Sequence, residues 1–310
     1  MTEFAPIALF VYNRPLHTRQ TVEALKKNDL SKVSDLVVFC DAAKTAAQAD
    51  AVREVREYIR SLSGFKSISI FEREANYGLA RSIIEGVTML CEEYGRVIVL
   101  EDDLVTSPYF LRFMNDALNL YEREDRVMQI SGFTYPIGKM TDDAFFLRLP
   151  LCWGWATWSR AWKYFRKSDD VMLQFDRKMR RAFSFNNTYH FWRQLEENKK
   201  GTIDTWFVYW YAALFLRGGL TLYSGRSLVQ NIGMDGSGVH LTVTNNYNVR
   251  LADTEVRLAP MLCEESDEAA KLHEKFFHRD YSIPTRIVDK VRRVVRRLLR
   301  NIRHDGAAAK

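Results

Sequence analysis

The chain has 310 residues, 47% of them hydrophobic and 27% charged, which excludes a disordered protein and predicts one large globular domain or two closely joined ones. Its four cysteines lie far apart without a Cys-x-x-Cys pair, so nothing indicates a zinc site or a disulfide framework. The net charge is +6, but residues 285–303 alone carry eight Arg or Lys and one acid. The rest of the chain is therefore nearly neutral and offers no general nucleic-acid surface.

The apolar segments of the chain are short. The N-terminal residues lack the basic region of a signal peptide, and the apolar stretch 7–11 is better explained as a first strand. The longest strongly apolar segment, 207–216, falls well below the roughly 20 residues of a membrane-spanning helix. We therefore expect a cytoplasmic protein whose contact with the cell membrane is peripheral.

Strand-like and helix-like segments alternate along the first half of the chain. In order, the pattern predicts strand 7–11, a helix from about 18, strand 36–40, helix 46–62, strand 67–71, helix 79–94, strand 97–100, helix 108–123 and strand 127–131. Because strands that alternate with helices form βαβ units, this pattern predicts an α/β fold with a mostly parallel, Rossmann-like sheet flanked by helices.

The second half of the chain is more helical. The predicted elements are strand 145–149, an aromatic segment 152–158, helices near 169–181, 188–197 and 204–216, strand 220–223 and a glycine-rich loop 233–238. Further on, apolar residues at three- and four-residue spacing predict a C-terminal basic amphipathic helix over 285–303. Such a helix suits the headgroup region of an anionic membrane. The alternatives are a helix packed on the body, a partner-binding helix and a nucleic-acid-binding tail.

Three consecutive carboxylates, Glu101, Asp102 and Asp103, follow the buried strand 97–100. Adjacent acids at one strand end repel each other unless a cation lies among them. A hard divalent ion takes oxygen ligands and is commonly shared with substrate phosphates, so the triplet points to a metal–diphosphate site. The alternative is a solvated acidic loop whose charge complements the dipole of the helix that begins near Ser107.

Two further polar segments follow other predicted strands. Asn13 and Arg14 come after the first strand, and Asp41 comes after the second. Because parallel sheets bind ligands beyond the carboxyl ends of their strands, we expect these residues and the acidic triplet to converge on one crevice. In isolation each has an ordinary explanation, a turn for Asn13 and Arg14 and a helix-capping acid for Asp41.

A series of short segments occurs in an order that resembles one class of enzymes. The segments are Val11-Tyr12-Asn13-Arg14-Pro15, Phe39-Cys40-Asp41, Asn76-Tyr77-Gly78-Leu79-Ala80-Arg81, Glu101-Asp102-Asp103-Leu104, Gly154-Trp155, and Asp204 before an aromatic helix. From about residue 7 to 240 the chain resembles GT-A type glycosyltransferases. The resemblance is greatest to the N-acetylglucosaminyltransferase I-like group and to bacterial family 2-like sugar transferases that build surface polysaccharides.

The resemblance implies a division of the chain. A GT-A domain would span 1–260, with a nucleotide-binding half over about 1–135 and an acceptor half over about 136–260. Residues 261–284 would then connect this domain to the amphipathic helix 285–303, and 304–310 would form a disordered tail.

The resemblance also implies a donor site. Asp103 would be the ligand of Mn²⁺ or Mg²⁺, while Glu101 and Asp102 would stand near the nucleotide and the sugar. The ion would bridge the diphosphate of a nucleotide sugar, with UDP the favoured nucleotide, and stabilise the charge that develops as the sugar departs. Arg14 and Asp41 match the uridine-binding positions.

Four more residues receive roles from the resemblance. Asp204 matches the general base of inverting enzymes, the alternative being an acid that complements the dipole of the following helix. Arg81 would approach a phosphate or the carboxylates, unless it forms a surface ion pair. Trp155 would lie near the donor sugar, and His240 would be a late metal ligand, although a lone His is more often structural.

These inferences lead to one functional expectation and two alternatives. We expect an inverting, metal-dependent glycosyltransferase that acts at the cytoplasmic face of a membrane on a glycan or lipid-linked acceptor. A nucleotidyltransferase of sugar phosphates also needs carboxylates and a metal, but residues 13–17 lack the glycine-rich phosphate loop expected after its first strand. The non-enzymatic alternative is a membrane-tethered module that binds glycan passively. No motif encodes which sugar is transferred.

Overall fold

The computed structural model of the chain describes residues 4–138, 140, 143–236 and 244–280. The strands in this part of the chain are β1 (Ile7–Val11), β2 (Asp35–Cys40), β3 (Ser67–Glu72), β4 (Arg96–Glu101), β5 (Leu104–Thr106), β6 (Val127–Ser131), β7 (Ala144–Leu147), β8 (Trp155–Trp158), β9 (Leu220–Ser224) and β10 (Val229–Asn231). The helices are α1 (Pro15–Lys26), α2 (Ala49–Arg60), α3 (Leu79–Tyr94), α4 (Phe110–Leu120), α5 (Ser159–Trp162), α6 (Arg177–Phe183), α7 (Phe191–Lys199), α8 (Phe207–Leu216) and α9 (Asp267–Asp280). Short 3-10 helices span Ser31–Val33, Ala46–Gln48 and Asp169–Gln174.

Within the described residues, eight of the strands form one sheet in the order β3-β2-β1-β4-β8-β6-β9-β7. The pairs β1–β2, β1–β4, β2–β3 and β6–β9 are parallel. Only β8 and β7 run against the direction of the other strands. Helices pack on this sheet, α3 against β1 and β4, and α4 against β6 and β8. The expected α/β fold with a mostly parallel sheet and flanking helices is confirmed.

The central strands read as apolar runs because both of their faces are covered. Every residue of β1 and β6 is buried, whereas β3, at one edge of the sheet, alternates between exposed and half-buried residues. Helix α3 occupies the predicted residues and ends at Gly95, whose φ of 74° gives the left-handed conformation that glycine adopts most readily. These elements are the ones whose bounds follow most directly from local sequence.

Five strands and α-helices were not expected from the sequence: β5, β8, β10, α5 and α9. All four residues of β8 are buried because the strand lies between β4 and β6, so the aromatic segment shows no alternation that would reveal a strand. Helix α9 falls in the segment expected only to connect. It packs against β7 and buries four side chains, those of Ala269, His273, Phe276 and Phe277.

The predicted amphipathic helix 285–303 and the predicted tail 304–310 lie outside the described residues. Among the helices that the structure does describe, none combines the length and the apolar character needed to cross a membrane.

The strand order creates a crevice at one edge of the sheet. From β1 the chain proceeds to β2 and β3 on one side, then returns to β4 on the other side of β1. At such a switch in strand order, the connections that leave the carboxyl ends of the two strands diverge and leave a crevice between them. Ligands of α/β proteins bind in this crevice. The register pairs Phe10 with Glu101, so the residues that follow β1 lie beside those that follow β4.

Candidate active site

The side chain that follows β1 lies between two of the acids that follow β4. The Arg14 Nη2 atom donates a hydrogen bond to Asp103 Oδ2 at 2.9 Å and also contacts Asp102 Oδ1. These side chains are secluded: the exposed fraction is 17% for Arg14, 6% for Asp102 and 8% for Asp103. Although burial opposes the charged form, the negative charges of Asp102 and Asp103 raise the pKa of Arg14 above its ordinary value.

One guanidinium does not neutralise three carboxyl groups. The half-buried Glu101 side chain makes no hydrogen bond or ion pair with any residue that the structure describes. Burial, and then the charges of Asp103 and Asp102, raise the pKa of Glu101 to about 8. Burial likewise raises the pKa of Asp102 to about 6, in spite of Arg14 beside it. The crevice therefore has excess negative charge that a further cation would relieve.

Backbone contacts hold the acids in place. The Thr21 hydroxyl on α1 donates a hydrogen bond to the carbonyl oxygen of Asp102 at 2.8 Å. The backbone amide of Ile232 donates to the carbonyl oxygen of Asp103 at 2.9 Å. The second contact continues the antiparallel pairing of β5 with β10, in which Leu104 lies opposite Asn231. This small sheet therefore brings the loop after β10 onto the acidic cluster.

Gly233 is the point of closest approach of that loop. A Cβ atom at this position would lie 2.0 Å from Asp103 Oδ2 and 2.9 Å from Arg14 Nη1. Any larger residue would displace the carboxylate, so the site requires glycine here. Two residues further along, Asp235 Oδ2 lies 3.2 Å from His17 Nε2 on α1, which ties the loop to the other wall of the crevice. The sequence showed only that this loop is rich in glycine.

At the end of β2, the Asp41 carboxylate accepts hydrogen bonds from three backbone amides. Its Oδ1 atom accepts hydrogen bonds from the backbone amides of Ala42 at 2.9 Å and Tyr77 at 2.8 Å, and Oδ2 accepts one from Gly78 at 2.8 Å. The carboxylate thus fixes the loop that leads into α3. Because each carboxylate oxygen has two lone pairs, Oδ2 keeps the capacity to accept from a ligand as well.

Arg81 lies away from the acidic cluster. Its side chain is exposed on α3, where it pairs with Glu85 at 2.7 Å and lies over the ring of Tyr77, 3.9 Å from the centroid. Arg73 approaches the same ring at 4.6 Å. The expected contact of Arg81 with the carboxylates is absent, and the surface ion pair, the alternative reading, is what the structure contains.

We expected Trp155 to lie near the donor sugar, but its ring is buried in the core and cannot contact a sugar. The side chain is 0% exposed and stacks on Trp206 with the ring centroids 5.2 Å apart, so neither face is available to a ligand. Trp155 pairs with Val99, which puts Trp153, two residues earlier, near the level of Glu101. Trp153 is half-buried and packs edge-on against Phe133 at 4.7 Å. The sequence predicted only a packing role for Trp153, and its contacts with Phe133, Tyr135 and Tyr247 agree with that role.

Asp204 lies just before α8 and is not part of the acidic cluster. Its side chain is 76% exposed and forms an ion pair with Lys167 Nζ. Two residues further along, Trp206 stacks on Trp155, which pairs with Val99 of β4. Among the described residues, no hydrogen bond or ion pair joins Asp204 to the acids that follow β4.

The acids fit a divalent ion that is shared with a ligand better than one held by protein alone. Within the described part of the chain, no group of three or more His, Cys, Asp or Glu side chains has the arrangement to hold a metal ion. A site for Mg²⁺ or Mn²⁺ needs only one or two carboxylates when phosphates and waters supply the other ligands. Asp103 Oδ1, which accepts no hydrogen bond from a described residue, meets that need as a single carboxylate ligand. His240 lies outside the described residues.

Comparison with known proteins gives only distant structural similarity. No protein-family model matches the chain, and no curated protein matches it. The structure of S. aureus TarS aligns over 44% of this chain and 23% of its own, with 15% identity and a TM-score of 0.30. TarS 1–349 aligns over 50% of this chain and 47% of its own, with 14% identity and a TM-score of 0.33.

A second similarity is to the mannosyltransferase PcManGT from Pyrobaculum calidifontis, solved in complex with GDP-Man and Mn²⁺. It covers 70% of each chain, with 12% identity and a TM-score of 0.35. The alignments with the two TarS structures, by contrast, each cover less than half of the TarS chain. At such TM-scores these similarities assign neither fold nor activity, and the function rests on the geometry of the crevice.

The raised pKa of Glu101 predicts a pH-dependent stability. Between the ordinary pKa of 4.5 and about 8, the folded protein binds a proton that the unfolded chain has released. The free energy of unfolding should therefore fall as the pH rises through this window. Urea denaturation with a chelator present, at several pH values from about 5 to 8, should show this slope, and Glu101→Gln should flatten it. Glu54→Gln, an exposed acid on α2, is the control; an unchanged slope in Glu101→Gln would contradict the assignment.

Gly233 predicts a specific energetic coupling. Gly233→Ala should lower the free energy of unfolding by about 1–3 kcal/mol, because the new methyl group overlaps the Asp103 carboxylate. In an Asp103→Ala background the same substitution should cost less, which a double-mutant cycle in urea measures as a coupling of about 1–2 kcal/mol. Additive effects would show that the two residues do not meet.

Proposed function

We propose that this protein is a metal-dependent glycosyltransferase that takes its sugar from a nucleotide sugar. The observation that carries the proposal is the cluster of Asp102, Asp103 and unpaired Glu101 at the switch point of a mostly parallel sheet, where Arg14 is the one cation among the described residues that contacts the acids. A nucleoside diphosphate with a divalent ion suits such a crevice, because the ion neutralises the acids and the guanidinium neutralises a phosphate.

In this proposal each residue of the crevice has its own role. Asp103 would hold Mn²⁺ or Mg²⁺ together with the diphosphate, and the bound ion would supply charge neutralisation on the leaving group. Arg14 is held between the acids by two carboxylates and would remain available to a phosphate oxygen once the ion has bound. Glu101 and Asp102 would accept hydrogen bonds from the sugar and the ribose.

The nucleotide in this proposal is uridine-based. Asp41 and the loop 76–78 that it fixes stand at the end of β2, next to β1, where a base and its ribose would extend from the diphosphate. The free acceptor capacity of Asp41 Oδ2 suits an imide N–H such as that of uracil.

For the transfer step we assign the role of general base to Asp204. The acceptor hydroxyl oxygen forms a bond to the anomeric carbon, the bond from that carbon to the diphosphate oxygen breaks, and the hydroxyl proton passes to the Asp204 carboxylate. This single displacement inverts the configuration. The Asp204 side chain is 76% exposed and is therefore accessible to an acceptor.

The acceptor is proposed to be a glycan or a lipid-linked saccharide of surface polysaccharide synthesis, at the inner face of the cell membrane. Two features support attachment to an anionic surface. Residues 160–200 carry eleven Lys or Arg and five Asp or Glu, a net charge of +6, and α6 within this region exposes four of these cations. Beside α6, Leu173 is 84% exposed. Basic residues around an exposed apolar side chain favour contact with anionic lipid headgroups, together with residues 285–303.

Calorimetry with UDP tests the donor site. UDP should bind at least tenfold more tightly with Mn²⁺ than with a chelator, because metal and diphosphate complete each other's ligands. Asp103→Asn should remove most of this difference, while Asp50→Asn, an exposed acid on α2, should leave it unchanged. Metal-independent UDP binding, or none, would refute the proposal. A screen of nucleotide sugars for hydrolysis by the purified protein would then identify the donor.

The base assignment has its own test. Asp204→Asn should lower the rate of sugar transfer or donor hydrolysis by about 10²–10⁴-fold and leave UDP binding with Mn²⁺ unchanged, because the residue touches the acceptor and not the nucleotide. Asp50→Asn is a matched control, since Asp50 is also exposed and paired with a neighbouring cation, Arg53. Turnover that survives in Asp204→Asn would exclude this residue as the base.

Membrane attachment is tested with vesicles. The full chain should co-sediment with vesicles that contain anionic lipid and not with neutral ones, since each basic residue near such a surface contributes about 1 kcal/mol. Deletion of residues 285–310 should reduce the bound fraction. Equal binding to both kinds of vesicle, or no loss on deletion, would contradict the assignment of 285–303.

A further inference from the structure

A groove of about 410 Å³ runs along α8 and is separate from the acidic crevice. One wall is α8, which contributes Tyr209, Ala213 and Leu216 from one face of the helix. The opposite wall comes from the segment between α5 and the 3-10 helix Asp169–Gln174 and includes Tyr164 and Arg166. The groove thus combines apolar side chains with a few polar ones, which is the composition of a small-molecule binding cleft.

One end of the groove adjoins Asp204. Lys167, the ion-pair partner of Asp204, lies between two residues that line the groove, Arg166 and Ser168. The Tyr209 hydroxyl at the same end donates a hydrogen bond to Asp169 Oδ1 at 2.9 Å. Burial, and then Asp169 and Asp204, raise the pKa of Tyr209 above its ordinary value, so its hydroxyl keeps its proton. A chain lying in the groove would present its terminal hydroxyl to the carboxylate of Asp204.

The other end of the groove is cationic. Arg217, which follows α8, lies over the ring of Tyr164 at 3.5 Å from the centroid, and Lys163 approaches the same ring at 5.0 Å. Arg217 forms no ion pair with any described residue. Asp170 also lines the groove and is the acidic side chain that offsets part of this charge. Guanidinium groups without a carboxylate partner are suited to bind one from a ligand.

We infer that this groove binds the acceptor, and that the acceptor is an anionic glycan. From Tyr209 to Leu216 the helix advances about 10 Å at 1.5 Å per residue, which is the length of about two sugar units. The acceptor therefore carries a carboxylate or phosphate about two residues from the hydroxyl that receives the new sugar, and this group contacts Arg217. The inference names the substrate class of the glycosyltransferase proposed above, and the bound glycan is an acceptor only if that proposal holds.

Binding of short glycans tests the inference. Calorimetry on the full chain would compare tetragalacturonate with the neutral maltotetraose. Tetragalacturonate should bind more tightly, and Arg217→Gln should weaken its binding about fivefold while it leaves maltotetraose unaffected. Arg217→Lys should recover part of the loss because it keeps the charge. Arg19→Gln is the matched control, since Arg19 is also exposed and lies over a tyrosine ring, that of Tyr58, at 4.4 Å.

The other outcomes are equally informative. Equal binding of the two glycans, or no effect of Arg217→Gln, would overturn the inference. If Arg217→Gln instead weakened binding to anionic vesicles and left tetragalacturonate unchanged, the groove would be a membrane contact and the inference would fall. UDP binding with Mn²⁺ should be the same in Arg217→Gln as in the wild type. Glycan binding that depends on Arg217 in a protein that ignores UDP would refute the proposed transferase and keep the groove as an anionic-glycan site.

Discussion

The candidate active site of this protein depends on the contact of Arg14 with Asp102 and Asp103. Two carboxylates that are almost inaccessible to water repel each other, and burial makes their ionised forms costly. A guanidinium between them offsets much of this cost, but Glu101 remains without a partner and holds its proton up to about pH 8. The crevice thus keeps an excess of negative charge, and this excess supports the proposal that it binds a cation together with a diphosphate.

The fold brings about this contact by topology. Arg14 follows β1 and the acids follow β4. These two strands are distant in sequence and adjacent in the sheet, because the strand order switches from one side of β1 to the other. The small sheet of β5 and β10 then brings Gly233 against Asp103, so a third distant segment closes the crevice. Asp41 acts in the same way at the end of β2, where its carboxylate joins the start of α3 to the sheet. Arg14, Asp41, Asp102 and Asp103 therefore each have a structural partner as well as a proposed ligand, whereas Glu101 has only the proposed ligand.

The two halves of the proposed reaction have different electrostatic surroundings. The donor side is secluded, with acids whose pKa values are raised by burial. The acceptor side, at Asp204 and along α8, is open to solvent and rich in arginine and lysine. This contrast supports the proposal that the acidic crevice binds the metal and the nucleotide and that the groove along α8 binds an anionic chain.

The sequence by itself determined the α/β class, the bounds of β1, β6 and α3, and the acidic triplet at the end of β4, because periodicity, caps and strand-end acids are local features. It did not reveal β8, since a strand buried on both faces shows no alternation, and it placed Trp155 at the site when the ring belongs to the core. Only the tertiary structure decided that Arg14 pairs with Asp102 and Asp103, that Gly233 lies against them and that Arg81 points elsewhere. Those contacts join residues far apart in the chain, and their existence depends on strand order and packing, which no local pattern encodes.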